Sequence, residues 1–303
     1  LTDADEIIKL ADKAGEAVIF GGGLIGLKAA YGLKKRGINV KVMVKSPRVL
    51  SQVVDSEAAQ IIGGWLQENG IIIRTGIAPE EILGDGEVQE VKLDNGEKIS
   101  AKLVIVGKGV SCNTSLVENS PVRVHWGIIT DDFLQTSVED IFAAGDVAET
   151  KDLVLERGNV NALWTAACEQ GRIAGVNMVE KRKKYPGSVG ANSADFFGLP
   201  FISVGYVRVR EKGYEELVKS DPRHYKYKKV VLKGNRLVGF ITINNIENAG
   251  VYTALIRKKA DVSSIRDILL EDYLDYPKVK DLLEEKEGLR ESVSMQGEII
   301  KIA

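Results

Sequence analysis

The first residues in this chain whose spacing carries chemistry are three glycines. Gly21, Gly23 and Gly26 read GxGxxG, directly after the apolar run Ala17-Val18-Ile19-Phe20 and directly before a helical stretch from Leu27 to Lys35. A buried strand, a glycine turn and a helix in that order form a pyrophosphate cradle. Gly21 permits the tight turn, Gly23 lets backbone approach the phosphates, and Gly26 lets the helix pack against the sheet. The helix N-terminus then offers free N–H groups and a partial positive charge. A second apolar run, Val40 to Val44, ends where such folds place the carboxylate that accepts from a ribose 2′-hydroxyl; here Val44, Lys45, Ser46, Pro47 and Arg48 follow one another. With no acid and two cations, Lys45 and Arg48, the loop tolerates a 2′-phosphate, so either NAD or NADP is expected as the dinucleotide.

The elements that must hold this turn alternate. Asp55 to Asn69 has Ala58, Ala59, Ile62, Trp65 and Leu66 on one face, and Ile71 to Arg74 is a third strand. Strand, helix, strand, helix, strand predicts a doubly wound parallel sheet. Ile7, Ile8, Leu10 and Ala11 predict the apolar face of a short helix before it, closed by Gly15. A hairpin is predicted from Val88 to Lys102 around Asn95-Gly96, followed by a buried strand from Leu103 to Val106. Short strands and turns from Pro121 to Val147 include a buried strand expected over Ile141 to Ala144. Ala162 to Glu180 is predicted helical, and Lys181 to Lys184 a basic surface linker. Strands at Phe201–Arg210, Tyr225–Leu232 and Arg236–Ile243 and helices at Ala249–Lys259, Val262–Leu270 and Lys278–Glu287 complete a separate α+β domain. The tail from Gly288 to Ala303 is weakly patterned.

Composition narrows the function. Of 303 residues, 44% are hydrophobic and 28% charged, an ordinary globular balance, and the net charge of −2 argues against nucleic-acid binding through bulk charge. No run approaches the roughly 18 apolar residues of a membrane span. The two cysteines, Cys112 and Cys168, stand in no disulfide, redox-pair or metal spacing, which points to a reducing, cytoplasmic setting.

Three further segments, with Ala17 to Val44, make the chain resemble the pyridine nucleotide–disulfide oxidoreductase superfamily, in the branch of NADH oxidases, nitrite reductases and rubredoxin or ferredoxin reductases. Val104 to Thr114 resembles the strand and turn that close the NAD domain. Thr136 to Asp146, ending Phe142-Ala143-Ala144-Gly145-Asp146, resembles the second flavin-binding signature. Leu163 to Arg172 resembles the helix that meets the flavin ring. The resemblance implies three parts: a linker helix and Rossmann-like NAD(P)-binding domain (1–120), a C-terminal portion of an FAD-binding domain (121–188), and a C-terminal α+β interface domain (189–303). It implies FAD and NAD(P) as cofactors. Gly109 is expected near the nicotinamide end, Gly145 and Asp146 at the ribityl chain, and Trp164 and Thr165 at the pyrimidine edge of the flavin, where a helix dipole stabilises negative charge. No protein nucleophile is expected.

Four positions depart from the family pattern: Leu24, Lys28, Val44 and Cys112. Lys28 stands near the expected nicotinamide, where the family commonly has Glu, and is counted among the cofactor-facing residues. Cys112 reads as packing, and His125 and His224 as surface residues. Phe196, Phe197, Phe201 and Tyr206 read as core in preference to flavin cover. A single GxGxxG occurs, so the expectation is a fragment, or a subunit whose N-terminal FAD half comes from a partner chain, inactive alone and forming a homodimer when whole. The expected function is hydride transfer from NAD(P)H to flavin, with an acceptor the sequence does not identify. The alternative is a nucleotide-binding regulatory or assembly subunit without redox activity.

Overall fold

The computed structural model describes residues 2–179, 182–274 and 276–284. Helix α1 (Thr2–Ala14) leads into β1 (Glu16–Phe20), α2 (Leu24–Lys35), β2 (Asn39–Val44), α3 (Ser56–Glu68) and β3 (Ile71–Thr75). Three antiparallel strands follow, β4 (Pro79–Asp85), β5 (Glu87–Leu93) and β6 (Lys98–Ser100), and then β7 (Leu103–Val106). The parallel sheet has the order β3-β2-β1-β7, with Phe20 opposite Met43 on one side and Val106 on the other. Its strands are apolar on both faces because helices cover one side and the β4-β5-β6 sheet the other. Ile19, Val42, Leu27, Ala30 and Leu66 form one core, and Val18, Phe20, Met43, Val91 and Leu93 the second.

Next come short strands β8 (Ile128–Ile129), β9 (Ala148–Lys151) and β10 (Gly158–Asn159), which form a small sheet, and α4 (Trp164–Asn177). The C-terminal part holds β11 (Ala191–Phe196), β12 (Leu199–Gly205), β13 (Glu215–Asp221), β14 (Lys226–Lys233) and β15 (Arg236–Ile243) in the antiparallel order β11-β12-β15-β14-β13. Helices α5 (Ala249–Lys258) and α6 (Tyr276–Leu283) accompany it. Phe196 and Phe201 are fully buried and share one apolar cluster with Ile19, Leu66 and Val54, so they are core. The C-terminal sheet is fastened to the Rossmann part by Trp65 Nε1 donating to Phe196 O (2.7 Å) and Ser203 Oγ to Val53 O (2.6 Å).

Several expectations need correction. On α1 only Ala11 is fully buried, while Ile8 and Leu10 are exposed, so the apolar face is narrower than its spacing suggested. Ile141 to Ala144 is not a strand. Phe142 makes one isolated bridge to Gln135 and Ile141 is exposed, because no neighbouring strand offers this backbone a ladder. Val262 to Leu270 forms a 3-10 turn over Ser263–Ile268 in place of a helix. Strands β4, β9, β10, β11 and β13 were not among the predicted strands. The expected last helix runs past residue 284; its end, Glu180, Lys181 and the tail from Gly288 lie outside the described residues.

Candidate functional site

The glycine turn is built by close contacts. Gly21 has φ +122°, and a Cβ there would sit 2.1 Å from Gly107 O. A Cβ on Gly26 would sit 2.0 Å from Gly21 O, and one on Gly22 would strike both methyls of buried Val44. Only glycine fits these three places. Gly23 differs: a Cβ there meets nothing within 4 Å. Packing of this chain therefore does not explain Gly23, whereas a ligand lying against the turn would.

Gly23 is also the N-cap of α2, and no side chain caps the helix or places an acid in its first turn. By contrast α3 is capped by Asp55, whose carboxylate accepts from Ala58 N at 3.1 Å. Uncapped N–H groups beside open space suit a diphosphate. The residues present thus fit a dinucleotide.

Further contacts connect this turn to the second expected surface. Gly107 N donates to Phe20 O (2.7 Å), so the turn after β7 packs on the turn after β1. Gly109, φ +103°, has open space around it. Cys112 Sγ donates to Asp146 O at 3.1 Å, tying that loop to the Gly145–Asp146 turn. Gly145 N donates to Gln170 Oε1 (2.7 Å), and Gln170 Nε2 reaches Thr150 Oγ1 and Tyr185 OH. Buried Gln170 therefore positions the turn against α4. Cys112 and Gln170 were not read as positioning residues, since their partners lie 34 and 25 residues away.

Asp146, Trp164 and Thr165 are all exposed on this side, Trp164 at 89% of its surface. Helix α4 likewise has no capping side chain and no acid in its first turn. An exposed Trp beside uncapped amides and a free carboxylate is a surface that an aromatic, hydroxyl-bearing cofactor such as FAD fits.

Three expected residues lie apart from this run of contacts. Lys28 Nζ donates to Asp195 O at 3.0 Å and stands over the rings of Tyr31 and Phe196, so it bridges to the C-terminal part. Arg48 is half-buried in the loop after β2, and its Nε is buried without an acceptor. Lys45, in the same loop, is exposed.

His125 is exposed, but its Nδ1 lies 3.1 Å from Glu149 Oε1. Burial works to raise the Glu149 pKa, and the hydrogen bonds from His125, Gly127 N and Trp126 N outweigh it, leaving the carboxyl below its ordinary range. His224 pairs with Asp221 at 2.6 Å. Among the described residues no three His, Cys, Asp or Glu side chains gather as a metal site. No described helix is long and apolar enough to cross a membrane.

Comparison with known proteins gives the family and the fold. Residues 1–171 match the family model "Pyridine nucleotide-disulphide oxidoreductase", and residues 191–260 match "Rubredoxin NAD+ reductase C-terminal domain". Nitrite reductase [NAD(P)H] of Bacillus subtilis (strain 168) is 30% identical over 270 residues, 88% of this chain and 32% of its own. The NADH-dependent phenylglyoxylate dehydrogenase subunit epsilon of Aromatoleum evansii is 31% identical over 272 residues, 88% of this chain and 64% of its own. The solved structure of a NAD-dependent persulfide reductase from A. fulgidus superposes with a TM-score of 0.79 at 25% identity, over 87% of this chain and 52% of its own. The chain therefore spans from about a third to just under two thirds of these relatives' lengths.

Proposed function

Because the chain belongs to the pyridine nucleotide-disulphide oxidoreductase family, we propose that it carries the nicotinamide-nucleotide site and the flavin-facing surface of an FAD-dependent NAD(P)H oxidoreductase. When bound, the flavin supplies hydride acceptance from the nicotinamide. The chain's own residues bind and orient. The amides at the start of α2 and the bare Gly23 backbone hold the diphosphate. Gly109 leaves room for the nicotinamide end, and the Cys112–Asp146 bond fixes the distance between the two surfaces. Asp146 accepts from a ribityl hydroxyl, and the N-terminus of α4 with Trp164 and Thr165 meets the ring. Rate enhancement comes from holding two rings in register.

The observation that carries this reading is the open space at Gly23 beside an uncapped helix. Exposed Trp164, Leu116 and Val110 support an additional flavin-bearing half seated over this surface, from the same polypeptide or a partner chain. The whole assembly is proposed to be a homodimer. Both cysteines are free, in keeping with the cytoplasm. Relatives named for nitrite and for persulfide reduction pass electrons to different acceptors, so no acceptor is proposed.

Lys28, held by Asp195 O, favours a second reading: a nucleotide-binding regulatory or assembly subunit without redox work. Anaerobic addition of NADPH or NADH to the intact, natively purified protein separates the two. The oxidoreductase is yellow and bleaches. A colourless protein, or a yellow one that neither nucleotide bleaches, leaves the second reading.

A further inference from the structure

Three guanidinium groups converge where the loop after β2 meets the C-terminal sheet. Arg48 belongs to the loop, and Arg208 and Arg210 follow β12. They line a cavity of about 420 Å³ whose other walls include Ser56, Tyr227 and Lys229. Two of the three carboxylates of this cavity are paired within its own wall. Asp55 accepts from Tyr227 OH (2.6 Å) and Lys229 Nζ (2.9 Å), and Glu216 pairs with the same lysine. Glu57 is the third acid of the wall.

Among the described residues, none of the three arginines forms an ion pair. Arg208 Nη1 donates to Ser51 O (3.1 Å), and Arg210 contributes only its backbone N, to Tyr206 OH. Arg48 Nε is buried and finds no acceptor. Burial holds the Arg208 pKa below its ordinary value, and the charges of Arg210 and Arg48 press the same way. Like charges gathered with a buried, unmet donor are unfavourable until an anion meets them.

We propose that Arg48, Arg208 and Arg210 bind a phosphate monoester dianion, two of the three cations coming from the C-terminal domain. Guanidinium forks offer paired donors at fixed geometry, which suits the several oxygens of a phosphate. Two sources share this chemistry. The loop carrying Arg48 also touches the nucleotide turn, through Leu50 N to Gly22 O (2.7 Å), and Ser51 Oγ donates to Ser46 Oγ (3.2 Å). A 2′-phosphate on an adenosine docked past β2 is one source, and in that form the inference rests on the dinucleotide reading. A separate phosphorylated ligand in the cavity is the other.

The test is calorimetric titration of the full chain with 2′,5′-ADP, 5′-AMP and inorganic phosphate, repeated on Arg210→Gln and Arg208→Gln. The Arg210 side chain makes no described hydrogen bond, so its substitution removes charge without cutting a tether. If the nucleotide is the source, 2′,5′-ADP binds at least about tenfold tighter than 5′-AMP, and R210Q abolishes the difference. If the two nucleotides bind alike while phosphate binding falls about tenfold in R210Q, the site stands with a separate ligand. Unchanged affinities in both variants, or no binding of either 2′,5′-ADP or phosphate to the parent chain, overturn the proposal. No binding of 5′-AMP to the parent chain alongside arginine-dependent phosphate binding removes support from the glycine-turn reading and leaves this one intact.

Discussion

Gly23 and Arg48 are where single side chains decide the most. A Cβ at Gly23 has no neighbour to strike, and alanine is a poorer N-cap than glycine by a modest margin, so Gly23→Ala should cost under about 1 kcal/mol in thermal unfolding. The same methyl would occupy the diphosphate's place, and dinucleotide affinity should fall at least about tenfold. Equal affinity for variant and parent would mean that the turn holds no phosphate. Arg48→Ala should weaken NADPH about tenfold more than NADH, since a charge-assisted hydrogen bond contributes roughly 1.5–3 kcal/mol; equal losses would count against a 2′-phosphate contact. The glycine spacing was readable because the strand, turn and helix that frame it are contiguous in sequence, although the neighbour that forces glycine at Gly21, Gly107, is not. Arg208 was not, because its partner Ser51 lies 157 residues away and nothing along the sequence joins them.

The elements show how capping and buried charge hold the site in place. Asp55 caps α3, accepts from Tyr227 and neutralises Lys229, whose side chain is only 5% exposed. Asp55→Ala should destabilise the fold by about 2–3 kcal/mol, measured by denaturant unfolding, because it removes the α3 cap, the acceptor of Tyr227 OH and one of the two carboxylates that neutralise the buried Lys229 ammonium. A loss below about 1 kcal/mol would show that Glu216 suffices alone. Glu149 anchors the turn at Trp126 and Gly127. Its pKa is lower folded than unfolded, so its contribution is full above the ordinary carboxylate value of 4.5 and fades as pH falls through the folded value. Glu149→Gln should therefore flatten the acid side of a Tm-against-pH curve below about pH 4.5; an unchanged slope would contradict this. The parallel strands were legible because burial on both faces leaves continuous apolar runs. Strand β4 was not, since it opens Pro79-Glu80-Glu81 and is nowhere fully buried, and neither was β13, whose residues are mostly exposed. The expected strand at Ile141 to Ala144 failed for the opposite reason: its composition suits a strand, but strand geometry needs a partner ladder, and only Gln135 supplies one bridge.

Across the whole molecule two kinds of surface contrast. The Rossmann part and the C-terminal sheet share one apolar core through Phe196, Phe201 and Ile19. Trp164, Leu116 and Val110, outside that core, are exposed to solvent. Trp164→Ser should leave the stability of this chain within about 0.5 kcal/mol, as exposed sites do, yet reduce flavin retention in the intact protein; a large drop in Tm would instead make Trp164 a packing residue. The proposed function depends on a dinucleotide lying against Gly23. Calorimetric titration of the chain with NADH and NADPH, beside the Gly23→Ala variant, tests this most directly. Saturable binding of at least one nucleotide at one site per chain, lost in the variant, is the predicted result. No binding of either, or binding that the added methyl does not touch, would contradict it.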